Sequence, residues 1–237
     1  MTARLGLVLA ALCLLPPQTG LAQLLLPKPE LRVEKDCLYC PDMVILPNGL
    51  TMSRAPVTRG EFSAFVDETG YQHQGWGCRW TSPGFDQSPK DPAVCITYRA
   101  AGLYADWLTR KTGHRYRLPT LDELTYAAMG FETSNYWWGQ SIGRNRANCT
   151  GCGSPYDGRG TSPVDAFPPN PFNLLDAVGN VWIWTTDCAT AQCLERRLAG
   201  GGWASPPSDL RIVKSISNMP DVPFNTYGMR VIRETDE

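Results

Sequence analysis

Nine cysteines are the residues of this chain whose spacing points most directly to chemistry. Cys37-Leu-Tyr-Cys40 and Cys149-Thr-Gly-Cys152 have the spacing that puts two thiolates on one zinc ion or closes a small disulfide loop. The compartment decides between these. Arg4, the apolar run from Leu5 to Leu15, the break at Pro16-Pro17 and the small residues Gly20-Leu21-Ala22 read as a secretory signal peptide over residues 1–22, cleaved near Ala22. That run is too short to span a bilayer, and Leu12 before Cys13 is not a small residue of the kind a lipidation site needs. Cys13 leaves with the signal. Cys37, Cys40, Cys78, Cys95, Cys149, Cys152, Cys188 and Cys193 remain, an even set that reads as disulfides in an exported chain. Eight cysteines allow roughly a hundred pairings. Local bridges are expected, Cys188–Cys193 and Cys78–Cys95 first, with zinc between the two CxxC pairs as the alternative.

Other catalytic chemistry is sparse. With only His73 and His114, a site of three histidines is impossible, and His114 follows a helix end where a cation complements the dipole. Gly200-Gly201-Gly202 runs into Trp203, without the Lys and Ser/Thr of a phosphate loop. Asp157, Asp165, Asp176, Asp187 and Asp221 fall in loops, where carboxylates cap turns or, with backbone carbonyls, ligate calcium. Twenty-two Lys+Arg against 23 Asp+Glu give a net charge of −1, which argues against nucleic acid as a partner and against a polybasic membrane patch.

The elements that position these residues are partly legible. The 237 residues, 43% hydrophobic with eight tryptophans, suffice for one well-filled core, and no later run is apolar enough to span a membrane. The expected division is a signal peptide at 1–22, a leader lying on the surface at 23–36 and one domain at 37–237. Three helices are marked by caps. Thr58 with Glu61 opens the first, which buries Phe62, Phe65 and Val66 and stops at Gly70. Thr97 opens the second, with Ala101, Tyr104, Trp107 and Leu108 inward and Gly113 as its stop. Thr120 with Glu123 opens the third, with Leu124, Ala127 and Ala128 buried and Gly130 ending it. Short strands and turns follow, among them a buried strand at 181–184 and a final strand at 227–233. The fold class is α+β, rich in irregular structure.

Several motifs, in order, resemble the formylglycine-generating enzyme (sulfatase-modifying factor) family. They are Met43-Val-Ile-Leu-Pro-Asn-Gly49, Pro56-Val-Thr58 with Glu61-Phe62, and Arg117-Leu-Pro-Thr120 with Glu123 and Tyr126-Ala-Ala128. Trp138-Gly139, Asn170-Pro-Phe172, Leu175-Asp176, Gly179-Asn-Val-Trp182 with Trp184, Gly201-Gly202-Trp203 and Gly228-Met-Arg230-Val231 continue the series. The resemblance covers residues 41–233 and implies a modified C-type-lectin-like fold with bound calcium in many members.

It also implies two copper-binding redox cysteines, and Ser205 and Leu210 stand at those positions. Neither can supply a thiolate, so formylglycine chemistry and copper are not expected. One calcium site is implied at Asn148, the Cys149 carbonyl and Asp157. A second would use Asn180 but has Ile183 where the family has a glutamate. The family further implies an exported, non-catalytic regulator that binds the periplasmic domain of a membrane Ser/Thr kinase controlling type VI secretion, and meets the membrane only through partners. Alternatives within the fold are a periplasmic oxidoreductase of siderophore maturation and a glycan-binding module. Trp76, Trp137, Trp138 and Trp203 are the candidate partner anchors, with core packing as the plainer role for each. For Arg230 and Asp221 a mutual salt bridge is the simplest account.

Overall fold

A computed structural model of the chain describes residues 31–73 and 77–235. The expected signal peptide and Trp76 lie outside the described residues. Threonine hydroxyls start the three α-helices of the described residues. In α1 (Arg59–Thr69) the Thr58 hydroxyl accepts from Glu61 N, the Glu61 carboxylate accepts from Thr58 N, and Gly70 ends the helix at φ 66°. In α2 (Tyr98–Thr112) Thr97 accepts from Ala100 N, and Gly113 closes the helix. In α3 (Leu121–Met129) Thr120 and Glu123 cap each other as Thr58 and Glu61 do. Gly130 ends α3 at φ 58°, and a Cβ there would lie 2.7 Å from Pro171 Cδ, so only glycine fits. The expected starts, stops and inward residues of the helices agree with the structure, except that Val66 is only partly buried.

Among the described residues nine short strands make two sheets. β1 (Val33–Lys35), β2 (Asp42–Ile45), β3 (Thr51–Ser53), β4 (Tyr116–Arg117) and β9 (Ile232–Arg233) form an antiparallel sheet in the order β1-β2-β3-β9-β4. β5 (Trp182–Cys188), β6 (Arg196–Ala199), β7 (Ser215–Asn218) and β8 (Tyr227–Gly228) form the other, in the order β7-β6-β5-β8, with β8 parallel to β5. A 3₁₀ turn, Pro207–Leu210, interrupts the loop-rich second half.

Two expectations are corrected. Residues 33–35, assigned to a surface leader, are a strand: Val33 pairs with Val44 and Lys35 with Asp42. Ion pairs from Arg233 to Glu34 and Asp36 hold it, and Tyr116 donates to Asp36. Partners about two hundred positions away leave no local trace. The single strand expected at 227–233 is two strands in different sheets, because Met229–Val231 carry the chain across between them.

The core follows from these elements. Phe62 and Phe65 of α1 meet Tyr104 and Trp107 of α2 at centroid distances of 5.7–6.0 Å. That aromatic layer continues to Trp184, fully buried and donating to the Ile96 carbonyl. A second cluster joins β2 and β3 to α3 and to Phe172 and Leu174. A third surrounds Cys149, Cys152 and Leu210. Disulfides Cys37–Cys40, Cys78–Cys95, Cys149–Cys152 and Cys188–Cys193 agree with the expected local bridges. They consume both CxxC pairs, so the zinc alternative is overturned. Four disulfides belong to an oxidising compartment. Among the described residues no helix is long and apolar enough to cross a membrane.

Arg117 grips the Glu123 cap through two bonds of 2.8 and 2.6 Å, and Glu123 also accepts from Thr120 N at 2.7 Å. Burial raises the Glu123 carboxyl pKa, but the Arg117 guanidinium and the Thr120 amide outweigh it and hold the group below its ordinary value. A lowered carboxylate stabilises the fold fully above its unfolded pKa and loses that contribution as pH falls through its folded pKa. Glu123→Gln is therefore expected to cost about 2 kcal/mol at neutral pH in chemical denaturation, with the gap from wild type narrowing in acid. Equal stability at neutral pH would refute the clamp.

Candidate functional site

The segment that holds Ser205 and Leu210 starts where β6 ends. Gly201 (φ 79°) turns the chain, and a Cβ there would lie 2.6 Å from Leu210 Cδ1. Leu210 is completely buried and fills that space. The Ser205 hydroxyl accepts from Trp182 Nε1 at 3.0 Å and from Gly202 N at 3.1 Å. Its backbone carbonyl accepts from Thr150 N of the Cys149–Cys152 loop at 3.0 Å. The hydroxyl is thus the clasp of a tight turn, and among the described residues its hydrogen-bond partners are Trp182 and Gly202, neither of them a base. Ser205 is therefore a hydrogen-bond acceptor and Leu210 is core.

Behind this segment lies a buried polar network. Asn148 and Asn180, both fully buried, meet directly, Asn148 Nδ2 donating to Asn180 Oδ1 at 3.1 Å and to the Gly160 carbonyl at 2.9 Å. Asn180 Oδ1 also accepts from Ser162 N, and its Nδ2 donates to the Ser162 carbonyl and to Asp176. Asn180 therefore has no idle oxygen, and Ile183 is buried apolar packing. Asn148 differs: its Oδ1 is buried without a partner, as is the Ser162 hydroxyl. Such an oxygen is costly to leave unpaired and is available to a cation or a water. The Cys149 carbonyl adjoins Asn148 in the chain. The Asp157 carboxylate closes the Cys149–Cys152 loop by accepting from Gly151 N at 2.8 Å and Gly153 N at 2.7 Å. Those amides hold its pKa below the usual carboxylate range. The structure thus joins Asn148 to Asn180 and gives Asp157 a separate set of partners.

The tryptophans flank the same segment. Trp138 stacks on Tyr136 at 5.1 Å and meets Trp137 edge-on, and the Tyr136 hydroxyl donates to the Pro207 carbonyl. Trp203 is half-buried, held by a bond from its Nε1 to the Asn225 carbonyl and by an edge contact with Phe85. Sequence reasoning passed over the strongest electrostatic feature here. Asp176, read as one turn carboxylate among five, is buried, and burial pushes its pKa up to about 7 against the pull of Asn180 and Arg230. Arg230 does not pair with the exposed Asp221. It is buried, donating to the Ser53, Leu175 and Asp176 carbonyls, and burial lowers its pKa to about 10. Only the apolar neighbours of Asp176 and Arg230 in sequence hinted at burial.

Residues 23–235 match the family described as sulfatase-modifying factor enzyme 1-like domain. A formylglycine-generating enzyme of Mycobacterium tuberculosis is 34% identical over 192 residues, covering 57% of this chain and 62% of the relative. Serine/threonine-protein kinase pkn1 of Chlamydia pneumoniae is 32% identical over 166 residues, covering 62% of this chain and 24% of the kinase. Inactive C-alpha-formylglycine-generating enzyme 2 of Mus musculus is 29% identical over 227 residues, covering 74% and 72%. The chain thus spans less than two thirds of the first two relatives. Among solved structures, PvdO from Pseudomonas aeruginosa superposes with a TM-score of 0.77 at 28% identity, over 86% of this chain and 98% of that one. Treponema denticola variable protein 1, at TM-score 0.68 and 16% identity over 87% and 100% of the two chains, shares the fold alone. By motif order, fold and match, the chain belongs to the sulfatase-modifying factor enzyme 1-like family.

Proposed function

We propose that this protein is a non-catalytic periplasmic regulator that binds the periplasmic domain of a membrane Ser/Thr kinase and promotes its activation in control of type VI secretion. The observation that carries the reading is the state of the thiol positions: Ser205 is a buried acceptor and Leu210 is core. Such a site supplies no copper ligand and no nucleophilic sulfur. Support also comes from relatives named as inactive, and from the occurrence of the domain in proteins named as Ser/Thr kinases. Export rests on the signal peptide read at residues 1–22 and accords with four disulfides. The contact surface is the face around residues 203–210, with Trp138 and Trp203 as anchors.

A second reading, an oxidoreductase, draws on the similarity to PvdO. It requires an acid, base or metal set that Ser205 and its neighbours do not supply.

Calcium belongs to the first reading as a structural ion, one per chain, at Asn148 Oδ1, the Cys149 carbonyl and Asp157. Its chemistry is to cross-link the 148–157 loop through oxygen ligands. Calcium is then expected to raise the melting temperature of the wild-type chain, and Asn148→Ala to abolish that rise; an equal rise in both would move the ion elsewhere. For the partner, the oxidised chain is titrated against the kinase's periplasmic domain. Trp138→Ala and Trp203→Ala, each checked for an unchanged melting temperature, are expected to weaken binding about thirtyfold. No binding by wild type, or full binding by both variants, would remove the regulatory reading or its surface.

A further inference from the structure

The face assigned to the partner carries an unbalanced charge. Residues 135–160 and 203–214 hold five cations, Arg144, Arg146, Arg159, Arg211 and Lys214, against the carboxylates of Asp157 and Asp209. Elsewhere in the chain seventeen basic side chains stand against twenty-one acidic ones, so a positive excess sits in an otherwise acidic molecule. Hydrogen bonds and packing make the two stretches one surface. Thr150 N donates to the Ser205 carbonyl at 3.0 Å, Ile212 N to the Asn135 carbonyl at 2.9 Å and the Tyr136 hydroxyl to the Pro207 carbonyl at 2.8 Å. Asn145 N donates to the Cys152 carbonyl at 2.8 Å, and Arg144 lies along Gly153, where a Cβ would be 2.9 Å from its Cγ. Buried Ile212 belongs to the cluster that Trp137 and Trp138 pack against, and exposed Arg211 and Val213 flank it in the chain.

All five cations are exposed. Lys214 stands 4.0 Å from Asp209. Among the described residues Arg144, Arg146, Arg159 and Arg211 have no ion pair and donate no side-chain hydrogen bond. Asp157, in the same loop as three of them, has both carboxylate oxygens committed to the Gly151 and Gly153 amides. Exposed cations elsewhere are matched: Lys35 with Asp42 at 3.1 Å, Lys90 with Asp165 at 2.8 Å and Arg115 with Glu234 at 3.1 Å. Like charges gathered without a counter-charge repel one another, and an opposite charge that docks against them relieves that repulsion and steers its own approach.

The residue types say which opposite charge. Four of the five cations are arginine, whose planar guanidinium takes a carboxylate through two parallel bonds, a geometry that lysine cannot offer. Half-exposed Trp138 and exposed Val213 add the apolar contact that a protein partner uses beside its charges. Anionic membranes are read by clusters of about four to eight Lys and Arg on one continuous segment. Here no two cations are adjacent in the chain, and they come from separate loops. We propose that this face binds an acidic segment of a protein partner, with aspartate and glutamate carboxylates engaging Arg144, Arg146 and Arg211 beside Trp138. The proposal rests on the regulatory reading and assigns the kinase's periplasmic domain an acidic contact patch.

The test titrates the oxidised full-length mature chain into fluorescently labelled poly-L-glutamate and follows anisotropy. Saturable binding that weakens with added salt is expected. Arg144→Glu and Arg211→Glu alter exposed side chains and should leave the melting temperature unchanged while each weakens binding about tenfold. Arg110→Glu, on α2 and outside this face, changes the net charge by the same amount and should weaken it less than about twofold. No binding by wild type, or an equal loss in Arg110→Glu, would overturn the proposal. So would tighter binding to phosphatidylglycerol vesicles that the same two variants abolish, which would give the face to a membrane. Titration against the kinase's periplasmic domain separates this proposal from the reading beneath it. Wild type that binds poly-L-glutamate but not the kinase domain removes the regulatory reading and leaves the acidic site standing. Kinase binding that both variants keep at full strength removes the acidic contact and leaves the regulator.

Discussion

The chain passes from one sheet to the other between Gly228 and Ile232, and at the middle of that crossing it buries the Arg230 guanidinium. An ion so buried is tolerated only if its donors are satisfied. Ser53 of β3 and the carbonyls of Leu175 and Asp176 satisfy them, and the Asp176 carboxyl, whose pKa burial raises to about 7, supplies a buried countercharge in its ionised form. Three segments far apart in sequence are pinned to one side chain. From Asp176 the polar contacts run to Asn180, then to Asn148 and Ser162, and so to the back of the 203–210 segment. Moving the crossing would leave a charge uncompensated and withdraw the support of the candidate site.

The family motifs turn out to be ties of this kind. Arg117 grips the helix cap Glu123, and Asn170 joins the Ala127 carbonyl to the amides of Phe172 and Leu174. Gly179 lets the chain pass the Asn148 carbonyl, where a Cβ would lie 2.9 Å away. Residues that hold a scaffold identify the fold, and they say nothing of activity. Ser205 and Leu210 are ties as well, the turn taking the hydroxyl as an acceptor and the isobutyl group as core.

What was legible in the sequence was local. Helix caps and stops involve residues three or four apart and could be read from spacing, whereas the disulfides, which span at most seventeen positions, agree with a preference for local bridges that spacing alone left open beside zinc. What was not legible was made by distant partners. The 33–35 strand looks like a charged leader until Arg233 is placed beside it, and the 227–233 run gives no sign of serving two sheets. Asp157 and Asp176 look alike as loop carboxylates. One closes its own loop on two amides and the other is buried against Asn180, a difference of environment that spacing does not encode.

Kinase regulation by this chain is read out in proteoliposomes that carry the full membrane kinase, with the oxidised chain supplied on the face of its periplasmic domain. The account predicts increased autophosphorylation on the opposite face, saturating with added chain and unaffected by copper chelation. Autophosphorylation unchanged at saturating chain, or a response that requires copper, would contradict it.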